Sequence, residues 1–451
     1  MVGVSEPFWF HDATRRRLYV GLFLVGCVLP TAGVLLWVGW RMSPWYVQQQ
    51  AAQLERILGL LVRLEGVKHP RPGEAIYDGI QLADSDTGQT ILRADQVQVR
   101  WTKATAPSEA CVGMVEMAVH GLEIHTEGVG RLAELVRRAL TQPPNWPRYE
   151  VRIQATEARL RTGQQIRNLS ELSGFLQPLE AGSHGRLSFR MESGQGGQSV
   201  HIRFGRDRSQ SPPISGVELA MEESAVPCSV LAGVFPVLTR MGSTASVRGT
   251  VWVHEQGGEV SYRFQGQLFQ VDLKTLVGEE LGMVLSGLAQ LGVDDARIVG
   301  GRLEEAVGTL LAGPGVISRR LWQSAVQELG LSTSLPADVA EESFTYEQLG
   351  VAFRIGPEGL WLRGVCPAPA PGSMMVNSHQ LLLGEGDPTG RAIPIAALVR
   401  MLTPTDPIPA GMQVPATRQA ERFLRWLPLP TGRESSGQSA FAETASRSGG
   451  P

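Results

Sequence analysis

From Leu18 to Trp40 the chain carries 23 consecutive residues without a formal charge. A helix rising ~1.5 Å per residue covers about 35 Å over that length, enough to cross a ~30 Å hydrocarbon core with some tilt. Pro30 is tolerated there, because a membrane helix can kink and re-satisfy the freed carbonyl. Ser43-Pro44 then reads as an N-cap followed by proline in the first turn, and Leu54, Ile57, Leu58 and Leu61 recur at helical spacing. The pattern predicts a helix from Pro44 to Leu64, stopped at Gly66.

After Gly66 the apolar period changes to two. Ile80 and Leu82 mark one strand, Asp84 to Gly88 a turn, and Ile91, Leu92, Val97, Val99 and Trp101 the returning strand. Five further hairpins are expected. The first two join Val115–Val119 to Leu122–Ile124 through His120-Gly121, and Val151–Ile153 to Ala158–Leu160. The third joins Leu187–Met191 to Val200–Phe204, the fourth Val247–Val253 to Val260–Phe264, and the fifth Val351–Ile355 to Leu360–Leu362.

Helical spacing returns at Leu132, Leu135, Val136 and Ala139, and most strongly from Leu273 through Leu276, Val277, Leu281, Val284, Leu285 and Leu288 to Leu291. A pair of helices is expected around Gly313-Pro314, one on Val307, Leu310 and Leu311, the other on Ile317, Leu321, Ala325 and Leu329. Short helices follow at Ile395–Leu402 and Ala416–Leu427, and the polar tail 433–451 is expected to be disordered. The expected fold class is α+β with β dominant: one membrane helix, then a curved antiparallel sheet with helices packed on it. By residue the layout reads 1–17 N-terminus, 18–40 membrane helix, 41–66 stalk helix and 67–265 β-rich body. A helical insertion at 266–340 and a C-terminal hairpin with helices at 341–432 complete it.

Charge changes this picture by orienting it. Arg15, Arg16 and Arg17 flank the apolar run on one side and only Arg41 lies close on the other, so the N-terminus is expected in the cytoplasm and the body outside it. A net charge of −3 gives no basis for a nucleic-acid partner. Cys27 falls in the anchor, and Cys111, Cys228 and Cys366 are scattered without metal or redox spacing.

Candidate chemistry is sparse. Gly128-Val-Gly130-Arg-Leu-Ala133 fits a dinucleotide fingerprint, but that motif needs a β-α-β unit in a parallel sheet, and the glycines are expected only to turn strand into helix. His254-Glu255 lacks the second histidine of a zinc helix, since position 258 is glycine. His120 and His125 read as exposed strand residues, and Asp84 and Asp86 as a plain acidic turn. Asp294-Asp295 and Glu304-Glu305 read as solvated helix ends. With no nucleophile–base pair visible, no enzyme, cofactor or metal is expected.

One stretch resembles a known family. The helix ending Leu58-Gly59, the segment Pro70, Pro72, Gly73, and then Tyr77, Gly79, Ile80, Leu82, Asp84 and Leu92 to Val99 resemble the opening module of the AsmA-like proteins. That group includes AsmA, TamB and YhdP, whose helix also follows an N-terminal membrane anchor. The resemblance covers roughly residues 18 to 101. It implies a bacterial inner-membrane protein, single-pass, with a periplasmic body whose twisted sheet forms an apolar trough like that of chorein-type lipid-transfer proteins. The implied function is non-enzymatic: lipid transport or outer-envelope assembly, with membrane lipid, a phospholipid ligand and an envelope protein as partners. The residues expected to face lipid are Val97, Val99, Phe189, Met191, Val251, Val253, Val260, Tyr262 and Phe264. The alternative is a membrane-tethered scaffold with a closed core that carries no lipid.

Overall fold

The computed structural model describes residues 12–103, 111–141, 149–163, 165–193, 196–277, 283–336, 341–367, 370–378, 380–386, 392–402 and 427. Helix α1 (Asp12–Phe23) passes through a π-helical turn, Leu24–Val28, into α2 (Leu29–Arg41). The wide turn sits just before Pro30, whose missing N–H breaks the regular ladder, and the Thr31 hydroxyl donates to the Cys27 carbonyl at 2.6 Å. Arg16–Arg41 is a helix of 26 residues, long and apolar enough to span a membrane, and none of its apolar window is buried against the body.

Helix α3 (Pro44–Leu58) starts as expected, with the Ser43 side chain accepting the Tyr46 N–H. It ends earlier than the apolar spacing suggests. Gly59 takes the left-handed conformation (φ 67°) and its N–H returns to the Glu55 carbonyl at 2.7 Å, so Leu61 falls on β1 (Leu61–Arg63) and Gly66 opens β2 (Gly66–Lys68).

The body is strand after strand: β3 (Glu74–Ala83), β4 (Thr90–Lys103), β5 (Gly113–His120) and β6 (Leu122–His125). Helix α4 (Val129–Thr141) leads to β7 (Tyr149–Ala155), β8 (Ala158–Thr162), β9 (Gln165–Leu179), β10 (Gly182–Ser193), β11 (Gly196–Asp207) and β12 (Ile214–Pro227). After α5 (Cys228–Leu231) come β13 (Ser246–Gln256), β14 (Glu259–Asp272), the short α6 (Leu273–Val277), β15 (Leu288–Val299) and β16 (Arg302–Ala312). The chain closes with β17 (Gly315–Ser318), α7 (Arg319–Leu329), β18 (Ser343–Tyr346), β19 (Gln348–Gly356), β20 (Gly359–Gly364), β21 (Ser373–Asn377), β22 (Gln380–Gly384) and α8 (Ile395–Leu402). The helix expected at 416–427 and the tail at 433–451 lie outside the described residues, apart from the buried Leu427.

Among the described residues twenty strands form one curved sheet, and β17 and β18 form a separate pair. Neighbours in sequence are mostly neighbours in the sheet, joined antiparallel. The expectation of a purely antiparallel sheet fails at one place. Helix α4 is a crossover, so β5 pairs β7 and β6 pairs β8 in parallel.

Two of the expected hairpins are absent for the same reason. β5 and β6 do not fold back on each other; both lie along β4, and β7 and β8 both lie along β9. Gly121 (φ 61°) does not reverse the chain. The pairing with β4 runs through it without a shift, His120 opposite Gln96 and Glu123 opposite Arg93, yet Val119 and Leu122, three apart, are both buried on the core side. The same spacing of three between core-side residues falls at Gly79 (φ 60°), between Tyr77 and Ile80, and at Glu171 (φ 54°), between Leu169 and Leu172. These positive-φ positions lie at one level of the sheet, and each strand keeps its buried face through them. The other three expected hairpins form: β10–β11, β13–β14 and β19–β20.

The helix expected from Leu273 to Leu291 is corrected to the five-residue α6 followed by strand β15, and Val307, Leu310 and Leu311 lie on strand β16. Asp295 and Glu305 are therefore strand residues, ion-paired to Arg263 (2.7 Å) and Arg354 (3.1 Å), not helix ends. Ile317 belongs to β17, while Leu321, Ala325 and Leu329 form the buried side of α7 as expected.

One apolar core runs along one face of the sheet, from Ala94 to α8. Helix α5 and the 3-10 turn Pro236–Met241 fill part of it, burying Cys228, Val230, Leu231 and Met241. α7 fills the far end, where Trp322 donates to the Leu382 carbonyl at 2.9 Å and meets Phe344 edge-on. A second, smaller cluster joins Leu54 and Leu58 of α3 to Leu132 and Leu135 of α4 around Leu60, Val62, Leu82 and Ile91.

Candidate functional site

Strand registers show how far the apolar face extends. Reading across the sheet at one level, Ala75 pairs Val99, Val99 pairs Met117, Met117 pairs Ile153, and Ile153 reaches Leu187 through Gly174. The row continues as Ile202, Leu219, Val251, Phe264, Ala296, Ala306, Ile355 and Leu360. Fourteen strands contribute one residue each, and none of these residues is polar. At the usual ~4.8 Å strand spacing, the row is roughly 60 Å long. A parallel row beside it runs from Val115 through Val151, Leu176, Gly185, Phe204, Val217, Val253, Tyr262 and Ile298 to Leu303.

The opposite face at the same level is mostly charged, with Phe175 standing between its two runs. Glu74, Arg100, Glu116 and Arg152 pair in sequence across the first strands, and Arg186, Arg203, Glu218, Trp252, Arg263, Arg297 and Glu305 across the later ones. Arg203 holds Glu218 at 3.0 Å, and the Arg263 guanidinium lies 5.9 Å over the Trp252 ring. A one-residue slip of any strand would put these charges on the core side, so the two-faced pattern fixes the register.

All nine residues expected to face lipid stand on the core side. Val97, Val99 and Met191 are buried; Phe189, Val251, Val253, Val260, Tyr262 and Phe264 are half-buried. The sheet brings Val251 opposite Phe264 and Val253 opposite Tyr262, while Val99 sits several strands away on the first row and Val97 at the next level, between Tyr77 and Val119. Tyr262 also meets the Phe235 ring edge-on, so part of its surface is covered by the protein itself. The expectation missed most of the row, including Met117, Ile153, Leu187, Ile202, Leu219, Phe204 and Val217. The signal was present in β12, where Val217, Leu219 and Met221 alternate with polar or small residues.

The other candidate motifs are accounted for by packing. The sheet does hold the parallel unit that a dinucleotide fingerprint requires, contrary to expectation, but the glycines serve contact. A Cβ on Gly128 would lie 2.7 Å from the Ile91 backbone, and one on Gly130 would lie 2.5 Å from the Gly233 carbonyl, so chain already occupies the space over the helix start. The acidic turn holds a guanidinium: Arg131 reaches Asp84 at 3.0 Å and Asp86 at 2.8 Å. The Asp86 N–H, and then Arg131, hold the Asp84 carboxyl below the usual carboxylate range. Glu255 pairs with Arg137, His120 with Thr156, and His125 with Glu123.

Among the described residues no group of three or more His, Cys, Asp or Glu side chains is placed to hold a metal. Cys228 is buried, and burial pushes its thiol up to about 11. Two hollows of about 780 and 420 Å³ open on the outward face, lined by residues such as Phe269 and Leu311 in one and Arg203 and Trp252 in the other.

Compared with protein-family models, with curated proteins and with solved structures, the chain gives no match. The site therefore rests on its own geometry. That geometry is a continuous hydrocarbon-compatible face, covered at one end by α7 and α8 and locally by α5, and half-open along the rows from Leu187 to Phe264.

Proposed function

We propose that this is a membrane-anchored lipid-handling protein of AsmA-like type, in which the half-open apolar rows hold acyl chains outside the bilayer. The observation that carries the reading is the fourteen-strand row without a polar member, continuous over a length greater than one phospholipid. An acyl chain gains about 0.8 kcal/mol per CH₂ removed from water, so such a face holds lipid without any specific motif. The anchor and the arginines before it support a body on the exported side of a bacterial inner membrane. There the protein aids lipid transport or outer-envelope assembly, with no reaction catalysed.

The anchor is coupled to the start of the sheet. Tyr46 is buried at the foot of α3, its hydroxyl lies 2.8 Å from His69 Nε2 on the loop after β2, and its ring meets Trp40 of α2. Arg41 lies 4.4 Å over the Trp37 ring. This cluster supports a fixed angle between membrane helix and body, with the β3–β4 end of the apolar rows nearest the anchor.

The test is to purify the full chain in a mild non-ionic detergent and measure bound phospholipid by mass spectrometry. About one or more lipids per chain is the expected result. A lipid-free protein that stays folded would instead favour the scaffold reading.

A further inference from the structure

Beside the second apolar row, at the turn end of the strands, lies a strip of different chemistry. Ser183 of β10 pairs Arg206 of β11, Arg206 pairs Ser215 of β12, and Ser215 pairs Glu255 of β13. By alternation these side chains share the core side with Gly185, Phe204, Val217 and Val253. Arg206 Nη1 donates to Ser215 Oγ at 3.0 Å, and Ser215 is buried. Glu255 is held from the other side by Arg137 of α4 at 3.6 Å, and among the described residues no carboxylate pairs with Arg206. Two polar atoms of the strip, Arg206 Nε and Ser183 Oγ, are shielded from solvent and have no hydrogen-bond partner, although their residues are directly paired.

Both atoms can donate, and both lack an acceptor. An orphan donor is costly to bury, and two on neighbouring strands call for a shared acceptor. A phosphate oxygen is the acceptor that a guanidinium and a hydroxyl hold best. The strip borders the row that would hold an acyl chain, so an amphiphile can lay its chain on Phe204, Val217 and Val253 and its phosphate on Arg206.

We infer that Ser183, Arg206 and Ser215 form a head-group site for the phosphate of an anionic phospholipid whose chain lies on the adjacent apolar row. The inference rests on the lipid-handling reading and adds a selectivity that an apolar face cannot supply. Zwitterionic lipids of the same chain length bind the rows equally well but offset the arginine's charge with their own cation.

The experiment loads the full chain in non-ionic detergent with an equimolar mixture of phosphatidylglycerol and phosphatidylcholine of identical acyl chains, and weighs the bound species by mass spectrometry. Wild type is expected to enrich phosphatidylglycerol by roughly tenfold, on the scale of one charge-assisted phosphate contact. Arg206→Gln removes the enrichment while total lipid stays level, and Arg206→Lys keeps part of it. Arg203→Gln, an equal loss of charge on the opposite face, leaves it intact. Equal uptake of both lipids by wild type overturns the head-group site and leaves lipid handling standing, whereas no bound lipid at all overturns lipid handling itself. A second arm adds inorganic phosphate without lipid: millimolar phosphate that binds wild type but not Arg206→Gln, and abolishes the lipid preference, assigns the site to a free anion and overturns the lipid assignment.

Discussion

Two glycines that face each other across β13 and β14 set how closely these strands approach where the sheet bends. Gly249 (φ 139°) pairs Gly266 (φ 156°), and a Cβ on Gly266 would stand 2.1 Å from the Arg248 carbonyl oxygen and 2.7 Å from Gly249 Cα. Both obstacles are backbone, so neither can rotate away. Gly266→Val is expected to lower stability by about 3 kcal/mol or more, read as the midpoint of chemical unfolding. Gly313→Ala, with open space around it, changes the midpoint by no more than about 0.5 kcal/mol.

His69 offers a second residue-scale prediction. Burial first, and then the charge of Arg41, pull its pKa below the ordinary histidine value of 6.5. A neutral ring with Nε2 bare accepts the Tyr46 hydroxyl, and protonation turns Nε2 into a donor and reverses that bond, in a half-buried site beside the Arg41 charge. A base whose folded-state pKa is depressed binds its proton more readily unfolded, so stability is lost as pH falls from about 6.5 toward the lowered value. Thermal unfolding followed from pH 7.5 to 5 should show the midpoint falling more steeply in wild type than in His69→Gln. Identical slopes would remove His69 from the account.

At the scale of elements, the sequence is most misleading where strands carry bulges. Apolar residues three apart on a bulged strand look helical, since strict alternation is replaced by a mixture of twos and threes. β14 and β15 slip between Phe264 and Gly266, between Leu268 and Val271, and between Val293 and Asp295. In β15 and β16 apolar residues also occupy the outward face, with Leu288 and Leu311 exposed. Hence Leu285, Leu288 and Leu291 read as one helix stripe, although on β15 Leu291 faces the core and Leu288 is exposed. The reading succeeded where alternation is clean, as in β10, β11, β13 and β19. It also held where a helix has a single stripe flanked by charges, as in α4. The parallel crossover was unreadable, because which strand β7 joins depends on contacts far apart in the chain. Helix α4 gives the element-scale prediction. Gly130→Val drives a side chain into the Gly233 carbonyl and is expected to destabilise the protein. Added NAD or ADP is expected to give no thermal shift in wild type, and a saturable shift would restore nucleotide binding at the Gly128–Gly130 turn.

At the scale of the whole molecule, the two faces of one sheet have opposite chemistry over most of its strands, with apolar residues joining the outward face in β15 and β16. That property came through in the sequence only piecewise, as apolar alternation in separate strands; the row exists because every register agrees. It can be tested with neighbouring residues that differ in face and little else. Leu219 stands on the apolar row between Ile202 and Val251, while Ala220 stands on the other side between His201 and Thr250. Leu219→Lys and Ala220→Lys add the same charge one residue apart. Because Leu219 is half-buried, a lysine there can reach solvent with its ammonium, and the fold survives at moderate cost. It nonetheless places a solvated cation in the middle of the row, where an acyl chain would have to displace its water. Bound lipid in the Leu219→Lys protein is expected to fall to half or less of the wild-type amount, with Ala220→Lys unchanged and both proteins unfolding cooperatively. Equal lipid content in the two variants would mean that hydrocarbon does not lie along the row, and the apolar face would then be core and nothing more.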